Sequence, residues 1–112
     1  MTEQELQSAA IAIARRYGWI YYHTHDSHNS SPGFPDLVLV RAGRTIFAEC
    51  KTDTGKLSVE QRQWTDALAI AGNEVYVWQP KHLDEIADIL SLWEPPRKSQ
   101  RLEFDSAVVK IS

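Results

Sequence analysis

Apolar positions change period along the chain, and each change marks an element. From Glu3 to about Tyr17, Leu6, Ala9, Ala10, Ile13 and Tyr17 recur at helical spacing on one face, and Gly18 supplies a stop. Trp19-Ile20-Tyr21-Tyr22-His23 is dense in aromatic and β-branched residues and reads as a strand. Pro35-Asp36-Leu37-Val38-Leu39-Val40 and Ile46-Phe47-Ala48-Glu49-Cys50-Lys51 are strand-length runs separated by the turn residues Ala42-Gly43. Trp64, Leu68 and Ala71 stripe a second helix that opens at Ser58 and ends at Gly72. Glu74-Val75-Tyr76-Val77-Trp78 is a fourth strand. Leu83, Ile86, Ala87 and Leu90 stripe a last helix, begun near Lys81 after Pro80 and stopped by Pro95-Pro96.

The order α-β-β-β-α-β-α predicts an α/β sandwich around a mixed sheet. Apolar residues on both faces of the central strands call for helices on both sides. The strand–helix–strand step implies a right-handed crossover, with Glu74–Trp78 parallel to Ile46–Lys51. Residues 1–94 are expected to form the domain and 95–112 a tail. Its apolar end, Ala107-Val108-Val109-Lys110-Ile111, is suited to adding a strand to an open edge of this chain or of a partner.

Pairing across the tight turn brings the chemistry together. With Ala42 and Gly43 as the two turn residues, Arg41 faces Arg44 and Asp36 faces Glu49. Directly opposed residues share a face with Cβ atoms ~5 Å apart. Lys51, two residues beyond Glu49, falls on that face too. Two carboxylates and an ammonium thus converge where the hairpin is otherwise apolar. Opposed like charges destabilise a ladder, and a hard divalent cation with oxygen ligands is the natural neutraliser. The plainer alternative is a salt bridge through Lys51. Cys50 points to the opposite face and reads as a core residue.

Composition narrows the class. A chain of 112 residues, 43% hydrophobic and 24% charged, is that of one globular domain with a modest core. No apolar run approaches the ~20 residues that span a bilayer, and Glu3 and Glu5 at the start are unlike a signal peptide. The lone Cys50 excludes an intramolecular disulfide and suggests a reducing, cytoplasmic setting. Net charge −3 and a pI near 5.7 are not those of a strong general nucleic-acid binder. The basic residues are uneven, however. Arg15, Arg16, Arg41, Arg44, Lys51, Lys56 and Arg62 precede residue 63, whereas 63–94 holds only Lys81. A local basic rim of this kind would bind phosphates with modest, salt-sensitive affinity.

Two helix starts carry capping boxes, Thr2-x-x-Glu5 and Ser58-x-x-Gln61. The loop from Thr24 to Gly33 is longer than a usual hairpin connection and holds His25, Asp26 and His28 close to His23. It suits a substrate-contacting loop, a solvated loop, or a zinc site, although the spacing matches no standard zinc pattern.

The ordered set Gly33-Phe34-Pro35-Asp36, Glu49-Cys50-Lys51-Thr52 and Leu57-Ser58-Val59-Glu60-Gln61 resembles the VRR-NUC family of the PD-(D/E)xK nuclease superfamily, over about residues 3 to 90. The resemblance implies a restriction-endonuclease-like core and Mg2+- or Mn2+-dependent phosphodiester hydrolysis in DNA. Asp36, Glu49 and the Cys50 backbone carbonyl would hold the metal, and Lys51 would orient or help deprotonate the attacking water. Glu5 on the first helix, with Glu3 as its fallback, would turn toward the metal, and Gln61 would lie near Lys51. Stand-alone members of the family look like homodimers that cut branched, Holliday-junction-like DNA. Other readings of the residues are an inactive DNA-binding module of the same fold, an enzyme acting on a small phosphoester, and a structural α/β domain.

Overall fold

A computed structural model describes residues 1–25, 31–96 and 107–108. Its elements are α1 (Glu3–Arg16), β1 (Ile20–His23), β2 (Leu37–Arg41), β3 (Arg44–Cys50), α2 (Val59–Ile70), β4 (Glu74–Trp78) and a 3-10 turn (Pro80–His82). They are followed by α3 (Leu83–Ser91) and β5 (Ala107–Val108). The strands form one mixed sheet in the order β1-β2-β3-β4-β5. Among the described strands only β3 and β4 run parallel, joined through α2. Ala107 and Val108 pair antiparallel with Val77 and Tyr76, so β5 covers the β4 edge from within the same chain.

The hairpin has the expected register, Leu37↔Ala48 through Arg41↔Arg44, and one step outward sets Asp36 beside Glu49. Ala42 (φ 43°) and Gly43 (φ 85°) both take positive φ, as a type I′ turn requires. Alanine is strained in that region where asparagine is tolerated. Ala42→Asn is therefore expected to raise stability by about 1 kcal/mol, read as an increase in Tm.

Side-chain alternation sorts the sheet into two faces. Leu37, Leu39, Ile46, Ala48, Cys50, Tyr76 and Trp78 join Leu6, Ala10 and Ala14 of α1 and Ile86, Ile89 and Leu90 of α3 in one buried core. The opposite face carries α2, which buries Thr65 and Ala69 near Val75. This corrects the sequence-derived stripe by about one position. Trp64 and Leu68 are half-buried and Ala71 is the exposed C-cap, because a short helix over a twisted sheet docks by small residues and lets large ones flank the contact. On α1, likewise, Ala14 is buried while Tyr17 is the exposed C-cap. α2 packs mainly on β3 and β4. On its face of β1 and β2, Ile20, Tyr22 and Val40 stay exposed.

Arg41 and Arg44 depart from the expected phosphate-binding rim. Both are buried. Arg41 donates to the carbonyls of Tyr17, Leu90 and Leu92, and Arg44 to those of Ile89 (3.2 Å) and Leu92 (2.6 Å). Carbonyls at a helix C-terminus lack intrahelical donors and carry partial negative charge, which guanidinium groups satisfy well. Arg44 also forms a two-point ion pair with Glu74 (3.1 and 2.6 Å), and Tyr76 donates its hydroxyl proton to Glu74 at 2.7 Å. The Arg41 guanidinium lies between the Trp19 and Trp93 rings, 4.8 and 4.4 Å from their centroids. Both arginines are committed to anchoring α3. The exposed cations of the first half are Arg15, Arg16, Lys56 and Arg62. No described helix is long and apolar enough to cross a membrane.

Candidate active site

The end of the hairpin remote from its turn is held by backbone contacts on both flanks. Thr24 donates its amide to the Asp36 carbonyl and its hydroxyl to the Pro35 carbonyl, each at 2.8 Å, extending the β1–β2 ladder to Asp36. The Lys51 amide donates to the Trp78 carbonyl at 2.8 Å, extending the parallel ladder on the other side. Asp36 turns its carboxylate onto β3, where Oδ2 accepts from the Cys50 amide at 2.8 Å.

Glu49 is 1% exposed. Its Oε2 accepts from Gln61 Nε2 at 3.2 Å, and its carboxyl lies within hydrogen-bonding reach of Asp36. Its Oε1 is buried and accepts no hydrogen bond from an N–H group among the described residues. Burial first, then the hydrogen bond and charge of Asp36, push the Glu49 carboxyl up to about 9, while Lys51 pulls the other way. Glu49 therefore keeps its proton at neutral pH when no cation is present. Burial, with the neighbouring carboxylates, also raises the Cys50 thiol, so that side chain is an inert member of the core.

Gln61 fills two roles that the sequence left open between them. Its Oε1 accepts from the Ser58 amide at 2.9 Å, completing the capping box, while its Nε2 reaches Glu49. Glu5 fills one. It caps α1 through Thr2 (2.9 and 3.0 Å), and those bonds, the backbone one foremost, lower its pKa at the exposed helix start. This is the capping role that the Thr2-x-x-Glu5 pattern offered, with the carboxylate on the exposed side of the helix start. Glu3 is the first-helix acid near the site. Its Oε2 lies 4.0 Å from Lys51 Nζ, and the Lys51 side chain is mostly buried.

A cleft of about 430 Å3 opens beside Asp36 and Gln61, with Glu3, His23 and His25 on its walls. The two imidazole rings are 5.3 Å apart. Asp26 and His28 lie outside the described residues. Among the described residues, no three His, Cys, Asp or Glu side chains form a ready metal cage. The donor set fits a different kind of cation. Mg2+ keeps several waters and takes one or two carboxylates from a protein. Asp36 and Glu49, two carboxyls within hydrogen-bonding reach of each other, match that requirement.

Gly33 carries a constraint that strand and helix patterns do not show. At φ +92°, its backbone packs so closely on the start of α2 that an added Cβ would meet the Glu60 carbonyl carbon and stand 2.6 Å from Glu60 O and 2.7 Å from Gln61 N. The loop before Asp36 thus sets the position of the helix that carries Gln61. Gly33→Ala is expected to cost about 2–4 kcal/mol in stability and to separate Gln61 from Glu49. Thermal unfolding and a structure of the variant would check this.

A mixed sheet flanked by helices, with paired carboxylates and a lysine gathered at one end of its central hairpin, defines the nuclease-like α/β class. Residues 2–81 match the family model described as the VRR-NUC domain. The chain belongs to the VRR-NUC domain family, a family of nucleases. A solved structure titled VRR_NUC domain is similar over 79% of this chain and 97% of its own, at 23% identity and a TM-score of 0.67. A 1.6 Å structure of Archaeoglobus fulgidus Hjc, a Holliday junction resolvase from an archaeal hyperthermophile, shares the fold at 18% identity and a TM-score of 0.54. That match covers 70% of this chain and 69% of the resolvase. No curated protein matches the sequence.

Proposed function

We propose that this protein is a metal-dependent endonuclease of the PD-(D/E)xK type, hydrolysing phosphodiester bonds in branched DNA as a homodimer. The observation that carries the reading is the Asp36–Glu49 pair, two carboxyls held together with Glu49 almost fully buried. A structural ion pair would set opposite charges together, whereas here a buried carboxyl faces a second carboxyl.

Asp36, Glu49 and the Cys50 backbone carbonyl would hold Mg2+ or Mn2+. When bound, the cation would supply positive charge at the scissile phosphate and acidity to water. Lys51 orients the attacking water and offsets the charge that builds on the phosphoryl oxygens. Water adds its oxygen to phosphorus as the phosphorus–oxygen bond to one sugar breaks, and the departing oxygen ends protonated. Gln61 keeps the Glu49 carboxylate aligned. Glu3 lies 4.0 Å from the Lys51 ammonium, close enough to hold that side chain at the site. Arg15, Arg16, Lys56 and Arg62 remain available for backbone phosphates, consistent with salt-sensitive binding.

Branched DNA is the first substrate to test, given the fold shared with a junction resolvase. A two-fold dimer would present two equivalent sites to a four-way junction. The test is a cleavage panel of labelled four-way junction, flap, single-stranded and linear duplex DNA with Mg2+ or Mn2+ and with EDTA, beside a sedimentation measurement of mass. Metal-dependent cutting of the junction in preference to the duplex is expected. Binding without cutting under either metal would reduce the chain to a DNA-binding module.

A further inference from the structure

Beside the cleft lies a second cavity, of about 280 Å3, lined by Tyr22, Thr24, Ser31, Phe34 and Trp64. The two share Thr24 and Phe34 and so adjoin. We propose that this cavity receives one unstacked nucleobase of the DNA strand whose phosphate lies at Asp36 and Glu49, so that the protein selects DNA with an unpaired or extruded nucleotide next to the cut. The inference rests on the nuclease reading and specifies its substrate.

The lining argues for a base. None of the five side chains is charged, so the cavity is unsuited to a phosphate. Three are aromatic, and nucleobases of any identity stack on aromatic rings. Phe34 is fixed by edge-on contacts to Trp64 (centroids 5.0 Å apart, planes at 81°) and Phe47 (6.1 Å, 88°). That preformed wall costs little ordering on binding. Tyr22 is the accessible ring of the lining, 60% exposed on a strand at the edge of the described sheet. Thr24 gives its hydroxyl proton to Pro35 and therefore offers a lone pair, suited to an amino group on a base edge.

Position supports the same assignment. Period-two alternation puts Tyr22 and Thr24 on the sheet face that carries Asp36 and Glu49, and Tyr22 pairs with Val38, two residues from Asp36. Phe34 is also two residues from Asp36, a reach of at most about 7 Å. A base attached to the phosphate in the cleft, or to the next one, spans such a gap. A base still stacked in a duplex does not enter a side cavity.

The test places 2-aminopurine at successive positions around the cleavage site of a DNA carrying one unpaired nucleotide. It is mixed with the full-length protein in EDTA for binding, then with Mg2+ for cutting. Stacking in the cavity should change fluorescence at one position within two nucleotides of the cut. Tyr22→Ala should abolish that change and raise Kd for this DNA about tenfold, whereas Tyr22→Phe should retain both, with Tm confirming that each variant folds. A signal that is absent, equal at all positions or unaltered in Tyr22→Ala, with cutting intact, overturns the base cavity and leaves the nuclease standing. Loss of dimer mass in Tyr22→Ala with an unaltered signal makes the face a contact between copies and also overturns it. Absence of DNA binding by the folded wild type overturns the nuclease reading as well.

Discussion

Glu49→Gln is expected to stabilise the metal-free protein while abolishing cleavage. In the fold, burial and Asp36 push the Glu49 carboxyl from 4.5 up to about 9. In the unfolded chain the group ionises near its ordinary value. Folding at pH 7.5 therefore requires Glu49 to take up a proton, at a cost of about 1.4 kcal/mol for each pH unit above 4.5. Stability from this group is complete below about 4.5 and falls as pH rises toward 9. The glutamine is neutral at every pH, keeps the shape, and donates an N–H to Asp36. A gain of roughly 2–4 kcal/mol at pH 7.5, absent at pH 4.5, follows from that arithmetic. Asp36→Asn should raise Tm in the same direction by relieving the carboxylate pair. Cleavage by Glu49→Gln should fall at least about 10³-fold, since a neutral amide is a poor substitute for an anionic ligand. A variant that is less stable than wild type at pH 7.5 would mark the site as a structural ion pair.

Magnesium affinity should depend steeply on pH. A cation held by Asp36 and Glu49 would displace the Glu49 proton, so binding should release about one proton below pH 9. Apparent affinity should then climb by close to tenfold per pH unit between pH 6 and 8. Mg2+ should raise Tm more at pH 8 than at pH 6, reversing the trend of the metal-free protein. Calorimetric titrations in buffers of different ionisation enthalpy would count the protons released. Affinity independent of pH would mean that Glu49 is not a ligand.

What the sequence discloses is what local rules determine. The juxtaposition of Asp36 and Glu49 follows from a two-residue turn and a period of two, and both capping boxes lie in four-residue windows. Whatever depended on how elements dock was less legible. Glu3 and Glu5 are two positions apart on α1, and only the packing of that helix decides which one faces Lys51. Arg41 and Arg44 look like surface charges beside a turn. They are buried because the C-terminus of α3, more than forty residues later, brings carbonyls to them. The approach of Gly33 to α2 and the open aromatic face of β1 are likewise properties of the assembled sheet. The signals present were a glycine just before Pro35-Asp36 and three consecutive large apolar residues on a strand that needed fewer.

The central claim is that Asp36, Glu49 and Lys51 hydrolyse DNA and do not merely bind it. The direct measurement is single-turnover cleavage of a four-way junction by Lys51→Ala and Asp36→Asn at low salt with Mg2+, alongside their affinity for the same DNA in EDTA. Both variants should keep affinity within a few-fold and lose cleavage by at least about 10³-fold. Cleavage that persists at the wild-type rate in either variant would contradict the assignment.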